Sequence, residues 1–142
     1  MPDLPASKRL RIGRYAESSR IYLLTINTRD REPIFKDFSL GRGVVNQFRC
    51  AQDQGFANSL AWVVMPDHFH WLIELRQGSL GGLVQRTKSL STKAVKQSTG
   101  RTTSLWQRGF HDRALRREED LVKMARYVVA NPLRAGLVEK LG

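Results

Sequence analysis

The chain has 142 residues, which predicts one compact domain with room for a short extension. Apolar residues make up 41% of it, which predicts a globular core and argues against global disorder. The formal net charge of +11 favours a polyanionic partner, with nucleic acid ahead of an anionic membrane surface. The longest uncharged apolar run, residues 60–65, is far too short to cross a bilayer, and the first twenty residues contain no apolar signal core. We therefore expect a cytoplasmic protein with no membrane partner, and the single Cys50 excludes an intrachain disulfide.

Nearly all of the excess positive charge lies between Arg76 and Arg117, where ten basic residues face one acidic residue. Such a concentration is typical of a surface that follows a phosphate backbone. A solvated helix face followed by a flexible basic loop would give the same pattern. The candidate nucleic-acid contacts in this segment are Arg86, Lys88, Lys93, Lys96, Arg101 and Arg108.

Residues 1–14 combine two prolines with several basic residues, which predicts a flexible N-terminal arm before a single domain over residues 15–142. A first strand is predicted over residues 20–28, where β-branched and aromatic side chains are frequent. Apolar residues then recur at helical spacing over residues 40–54, and Gly55 supplies a stop. A buried-type strand over residues 60–65, a turn at Pro66-Asp67 and a strand over residues 68–75 complete a hairpin.

A second, basic helix is predicted over residues 83–97, and a fourth strand within residues 106–115. Acidic residues at 118–120 suit the first turn of a third helix, because they complement its dipole. Its apolar positions extend to Asn131-Pro132, after which helical spacing restarts. The order of elements predicts an α+β fold, a ferredoxin-like split β-α-β sandwich whose antiparallel sheet has helices on one face, with C-terminal helices appended.

Two histidines, His68 and His70, are separated by one residue in the predicted third strand. Because side chains alternate along a strand, both imidazoles point to the same face, about 6.6 Å apart along the chain. Two imidazoles in this arrangement can converge on one metal ion. Glu74 shares their face, whereas Phe69 and its apolar neighbours face the helices. A half-buried strand with two outward polar residues would show the same pattern.

Tyr127 and Asn131 are four residues apart, which places them on one helix face if the third helix continues that far. Each has a structural alternative. Asn131 could be the N-cap of a following helix with Pro132 at its first position. Tyr127 could be an ordinary core aromatic beside Val128.

Three stretches of the chain resemble the signature blocks of the REP-associated tyrosine transposases, which are single-tyrosine HUH (His, hydrophobic residue, His) transposases related to insertion-sequence enzymes. They are WVVMPDHFHWLIEL at residues 62–75, WQRGFHDRALRREED at residues 106–120 and ARYVVANPLRAGLV at residues 125–138. The blocks occur in the expected order, and GRYAESSRIYLLT at residues 13–25 agrees with them. The resemblance therefore covers essentially the whole chain.

This resemblance implies a role for each matching residue. His68 and His70 match the paired metal ligands, Tyr127 matches the nucleophile, and Asn131 falls where the family places a third polar ligand that is Gln in some relatives. The resemblance assigns no role to His111 or Asp112, which could contact DNA or support the site. Glu74 is a further candidate for support. Arg9 and Arg11 in the arm are candidates to read a short conserved DNA segment, on their charge alone.

The activity implied is metal-dependent cutting and rejoining of single-stranded DNA at REP-type hairpins, through a 5′-phosphotyrosine intermediate. A tyrosine hydroxyl is a weak nucleophile at neutral pH, and a divalent ion can polarise the phosphate it attacks. Imidazole and amide ligands suit Mg²⁺ or Mn²⁺, although histidines also accept Zn²⁺ or Ni²⁺. The alternative is a protein derived from a transposase that binds DNA or RNA hairpins without cutting. A monomer is the favoured assembly, and a dimer is the alternative.

Overall fold

The structure, a computed structural model, describes the backbone of residues 20–135 and the side chains as far as Val128. In this part of the chain the strands are β1 (Ile21–Asn27), β2 (Ala57–Met65), β3 (His68–Leu75) and β4 (His111–Ala114). The helices are α1 (Phe38–Asp53), α2 (Leu80–Thr99) and α3 (Glu118–Ala135). Two short 3₁₀ turns, Arg29–Arg31 and Ile34–Lys36, connect β1 to α1.

The four strands form one antiparallel sheet in the order β2-β3-β1-β4. The order follows from the chain: β2 and β3 pair as a hairpin through Pro66-Asp67, while α1 and α2 each carry the chain across to a non-adjacent position. This is the arrangement of a split β-α-β sandwich. The predicted α+β ferredoxin-like fold is confirmed.

One face of the sheet packs against α1 and α2. Trp71 of β3 is fully buried there and stacks on Phe48 of α1, with ring centroids 4.3 Å apart. Its indole Nε1 donates a hydrogen bond to Ser59 Oγ across the hairpin, so the buried polar atom is satisfied. Phe69 also packs edge-on against Phe48. The odd-numbered residues of β3 therefore face α1 and α2, as alternation along a strand predicts.

The opposite face carries the even-numbered residues of β3, and we call it the histidine face. Helix α3 covers part of it by burying Leu121 and Val128, seven residues apart, against Val63 and Leu72 of the sheet. Residues seven apart lie on one side of a helix, so the apolar stripe predicted from spacing is the stripe that packs. Helices therefore flank both faces, and α3 is the one on the side of His68 and His70.

The structure differs from the sequence prediction at the end of α3. The backbone stays helical through Asn131 and Pro132 as far as Ala135, and no new helix starts at residue 131. Proline removes one backbone hydrogen bond, but the packing of Leu121 and Val128 on the sheet holds the preceding turns in helical phase. The interpretation of Asn131 as an N-cap is therefore wrong.

The remaining elements agree in type and differ in length. Strand β4 is limited to His111–Ala114, after Gly109 at φ +77°, which is a left-handed conformation. The predicted arm with Arg9 and Arg11 lies outside the described residues. Within residues 20–135, no helix has the length and apolarity needed to span a membrane.

Candidate metal and tyrosine site

His68 and His70 lie next to each other on the histidine face. Their ring centroids are 5.0 Å apart, and the ring planes are inclined by 76°. In the sheet register His68 is opposite Asn27 of β1, and His70 is opposite Thr25. The pair therefore sits at the β3 end that follows the hairpin turn, as alternation along a strand predicts.

The His70 imidazole is positioned by Thr25, whose hydroxyl lies 2.9 Å from Nδ1. Burial, and next the charge of His68, lower the pKa of His70 to about 4. The ring is therefore neutral at pH 7, which is the form that binds a metal ion. Because Nδ1 is used by Thr25, an ion would be coordinated through Nε2.

The His68 imidazole is positioned by Asp67, whose Oδ1 lies 2.8 Å from Nδ1. The second carboxylate oxygen, Oδ2, accepts a hydrogen bond of 3.0 Å from Nε of Arg31. Burial alone would raise the pKa of Asp67, but the hydrogen bonds from His68 and Arg31 outweigh it and hold this pKa below its usual range. The carboxylate thus fixes the ring and leaves Nε2 available to coordinate an ion, an arrangement common around metal-binding histidines.

Tyr127 lies on α3 beside the histidine pair. Its ring centroid is 5.8 Å from that of His70, and 45% of the residue is exposed. The neighbouring Val128 is fully buried and anchors this turn of the helix on the sheet. The interpretation of Tyr127 as an ordinary core aromatic is therefore wrong: its ring stands at the edge of the packed stripe, open to a ligand.

The donor set around the pair consists of two imidazoles. Among the described residues no third His, Cys, Asp or Glu joins them to form a metal-binding group. The helical backbone of α3 places Asn131 one turn after Tyr127, on the same side of the helix, although its side chain lies outside those described. Two imidazoles supply part of the coordination shell of a divalent cation and leave positions open for oxygen ligands.

The three supporting candidates from the sequence occupy different positions in the sheet relative to the pair. His111 is opposite Thr25 in the register of β4, so it shares the histidine face and is exposed. Asp112 is opposite Leu24 and faces the other side. Glu74 accepts a 3.0 Å hydrogen bond from Asn58 and is separated from His70 by the buried Leu72.

Comparison with known proteins places the chain in a family. The family described as "Transposase IS200 like" matches residues 17–131 of the chain. The chain belongs to this family. A Haemophilus influenzae protein whose name assigns it to the REP-associated tyrosine transposases is 26% identical over 136 aligned residues, covering 84% of this chain and 73% of the relative.

Solved structures agree on the fold. The structure of a REP-associated tyrosine transposase bound to a REP hairpin has a TM-score of 0.68 at 22% identity, covering 84% of this chain and 70% of that one. A Deinococcus radiodurans protein named as a transposase has a TM-score of 0.59 at 20% identity, covering 76% of this chain and 87% of that one. Together with the family match and the Haemophilus relative, they confirm the resemblance stated from the sequence blocks.

In this member of the IS200-like family, three of the predicted nucleic-acid contacts, Arg86, Lys88 and Arg101, have partners within the protein. Arg86 bonds to Gln54 and lies over the Phe56 ring, 5.0 Å from its centroid. Lys88 donates from Nζ to two backbone carbonyls, those of Gln107 (2.8 Å) and Gly109 (2.7 Å).

Arg101 forms two hydrogen bonds to the Glu32 carboxylate, at 3.0 and 2.8 Å. The hydrogen bond from Arg101 lowers the pKa of Glu32 below its usual range. Lys93, Lys96 and Arg108 are exposed. Helix α2 carries four of the six candidate cations and packs on the face of the sheet opposite the histidines. These four cations and the histidine–tyrosine pair are therefore on different sides of the sheet.

Sequence reasoning missed the residues that position the IS200-like histidines. Asp67 was assigned only to a turn, although a carboxylate directly before a candidate ligand histidine is a usable signal. Thr25 carried no such signal, because it is 45 residues from His70 and only the β1–β3 register brings them together. Arg31 was likewise unremarkable in the sequence.

Proposed function

We propose that this protein is a metal-dependent enzyme that nicks and rejoins single-stranded DNA at REP-type hairpins, with Tyr127 as the nucleophile. The observation that carries the proposal is the position of Tyr127, half exposed and with its ring 5.8 Å from that of His70 within one chain. A tyrosine buried for packing would not stand open beside two imidazoles. Membership of the transposase family supports the same chemistry.

The reaction exchanges one phosphodiester for another. The Tyr127 hydroxyl oxygen attacks the scissile phosphorus, a bond forms between them, and the bond from phosphorus to the 3′ oxygen breaks. The tyrosine hydroxyl loses its proton, the leaving oxygen takes one up and becomes a 3′-hydroxyl, and the 5′-phosphate stays on the tyrosine, so protons balance over the step. Because the number of phosphodiester bonds is conserved, the reverse attack by a 3′-hydroxyl rejoins DNA without ATP.

His68, His70 and Asn131 would hold Mg²⁺ or Mn²⁺ at this site. When bound, the ion would polarise the phosphate and stabilise the charge that develops on its oxygens. His70 is kept neutral by burial, and Asp67 and Thr25 contact Nδ1 of the two rings, which leaves Nε2 of each ring available for an ion. These residues therefore preorganise the site before DNA binds.

The substrate follows from access and charge. A reacting phosphate must come close to both α3 and the histidine face, which a single strand permits and a continuous duplex hinders. The net charge of +11 suits a polyanion, and a structural relative is described as bound to a REP hairpin. We therefore infer a hairpin with an adjoining single strand as the substrate, met on chromosomal DNA in the cytoplasm.

The test is formation of a covalent adduct. Labelled hairpin oligonucleotides from the DNA that flanks the gene are incubated with the protein and Mn²⁺, Mg²⁺ or EDTA, and resolved on a denaturing gel. We expect a protein-linked band that requires metal and is abolished by Tyr127→Phe and His68→Ala. Tyr22→Phe, which changes a half-buried tyrosine of β1 in the same way, is the matched control and should keep the band.

Binding without an adduct under any metal condition would overturn the cutting reaction and leave a hairpin-binding protein. Equal cutting by Tyr127→Phe and the parent would show that another residue is the nucleophile.

A further inference from the structure

A cleft lined by three arginines lies at the end of the sheet where β1 ends, and Arg31 links it through Asp67 to His68. It lies between the 3₁₀ turn at residues 29–31 and the segment 104–108, and has a volume of about 590 Å³. We call it the arginine cleft; Arg29, Arg31 and Arg108 supply its positive charge, and Asp30 its negative charge. Its size is within the range of clefts that hold small ligands.

The walls of the arginine cleft are fixed by hydrogen bonds between the two segments. Arg29 N donates to the Leu105 carbonyl (3.0 Å), and Gln107 N donates to the Asn27 carbonyl (3.0 Å). Trp106 at its base is buried and packs edge-on against Phe69, with centroids 5.6 Å apart. The segment is held from the α2 side by Lys88. A charged ligand would meet donors already in place, which reduces the ordering cost of binding.

The wall of the arginine cleft formed by residues 29–31 has an unusual backbone conformation. Asp30 and Arg31 both have φ +55°, a left-handed conformation that non-glycine residues seldom adopt. Arg31 is held in that conformation with Nε on Asp67, and a guanidinium has four more N–H donors. The side chains of Arg29 and Arg31 are 59% and 55% exposed, so their charges face solvent.

The arginine cleft is adjacent to the reacting centre. Arg31 contacts Asp67, and Asp67 contacts His68, so two hydrogen bonds separate the cleft from the histidine pair. Asn27, which ends β1, is opposite His68 in the register, and the cleft begins two residues later. In contrast, Lys93 and Lys96 lie on α2, across the sheet from Tyr127.

We propose that the arginine cleft binds the phosphodiester backbone of the single strand next to the scissile phosphate. Guanidinium groups recognise phosphate oxygens through paired N–H donors, which suits a strand whose bases need not be read. This inference rests on the proposed function for the identity of its ligand. In this proposal Arg29, Arg31 and Arg108 contact the single-stranded DNA, and the exposed lysines of α2 are available to contact the hairpin.

The test measures the affinity added by a single-stranded extension, without chemistry. Binding of a REP-type hairpin with and without the extension is measured in EDTA for the parent, an Arg29→Gln/Arg108→Gln variant and a Lys93→Gln/Lys96→Gln variant of equal charge change. Arg31 is left intact, so its hydrogen bond to Asp67 is preserved. Thermal unfolding of each variant checks its fold.

We expect the extension to raise the affinity of the parent at least about tenfold, and the arginine variant to lose most of that increase while still binding the bare hairpin. The salt slope for the extended DNA should fall by about one for each phosphate that the variant no longer neutralises. The lysine variant should keep the increase. An extension that adds no affinity to the parent, or an increase that survives in the arginine variant or disappears equally in the lysine variant, would overturn the inference.

The outcome is separate from that of the adduct assay. If the arginine variant loses the added affinity but the parent forms no adduct with metal, the cleft binds DNA and the cutting reaction is wrong. If the adduct forms and the added affinity is unaffected by the arginine substitutions, the proposed function stands and the cleft has another role.

Discussion

The Asp67 carboxylate is shared by two partners, His68 on one oxygen and Arg31 on the other. A histidine that donates Nδ1–H to a carboxylate is fixed in one tautomer and is a stronger ligand through Nε2. The backbone carbonyl of Asp67 also accepts hydrogen bonds from Thr28, which secures the turn independently of the carboxylate. Loss of the carboxylate charge should therefore affect the histidine more than the fold.

We expect Asp67→Asn to weaken Mn²⁺ binding about 10- to 100-fold, because the amide is a poorer acceptor for the His68 N–H. Titration followed by electron paramagnetic resonance measures the affinity, and nitrogen NMR of the metal-free protein should show a changed tautomer population at His68. Asp53→Asn, at the exposed end of α1, is the charge-matched control. Unchanged Mn²⁺ affinity in Asp67→Asn would show that the Asp67 carboxylate does not strengthen metal binding by His68.

At the level of elements, α2 holds other parts of the protein together as well as presenting charge. The ammonium of Lys88 donates to the carbonyls of Gln107 and Gly109, and so holds the segment before β4. Burial lowers the pKa of this lysine, which indicates that part of its hydration is replaced by these carbonyls. Lys93, less than two turns later, is exposed.

We expect Lys88→Met to lower the free energy of unfolding by about 1–3 kcal/mol, because two carbonyls lose a charged donor. The same change at Lys93 should stay within about 0.5 kcal/mol. Urea unfolding of both variants without DNA makes the comparison. Equal stabilities would mean that Lys88 is as free as Lys93, and would restore it as a candidate phosphate contact.

At the level of the whole molecule, a single chain brings the tyrosine and the two histidines together. Helix α3 packs on β2 and β3 of its own sheet through Leu121 and Val128, and this packing brings Tyr127 to His70. Because Tyr127 meets the histidine pair within one chain, a second copy is not needed to supply the helix. We therefore expect a monomer that reacts with its tyrosine in cis.

Mixing two inactive variants tests this arrangement. Tyr127→Phe and His70→Ala, combined with hairpin DNA and metal, should form no adduct if each chain must supply both groups. Helix exchange between chains would regenerate intact sites and restore the band. Light scattering should accordingly give a mass of 16.2 kDa for the free protein; twice that value together with restored adduct would establish action in trans.

Local pattern was enough to predict most of the fold and the core of the candidate site. Alternation in β3 placed His68 and His70 on one face, and the spacing of Leu121 and Val128 predicted the packed stripe of α3. These predictions succeed because strand and helix periods act over a few residues. Local pattern was misleading at Asn131, where the following proline favoured an end of the helix. The helix instead continues through Pro132.

Interactions between distant segments could be found only in the folded chain. Thr25 and His70 are 45 residues apart, and Arg101 and Glu32 are 69 apart. The sheet register, and the placement of α2 and α3 on opposite faces of the sheet, decide which basic side chains are paired internally and which lie near the histidine–tyrosine pair. The sequence alone therefore establishes the candidate reactive groups, the two histidines and the tyrosine. Which basic residues are paired internally and which lie near those groups depends on the tertiary structure, because the partners of these basic residues come from distant parts of the chain.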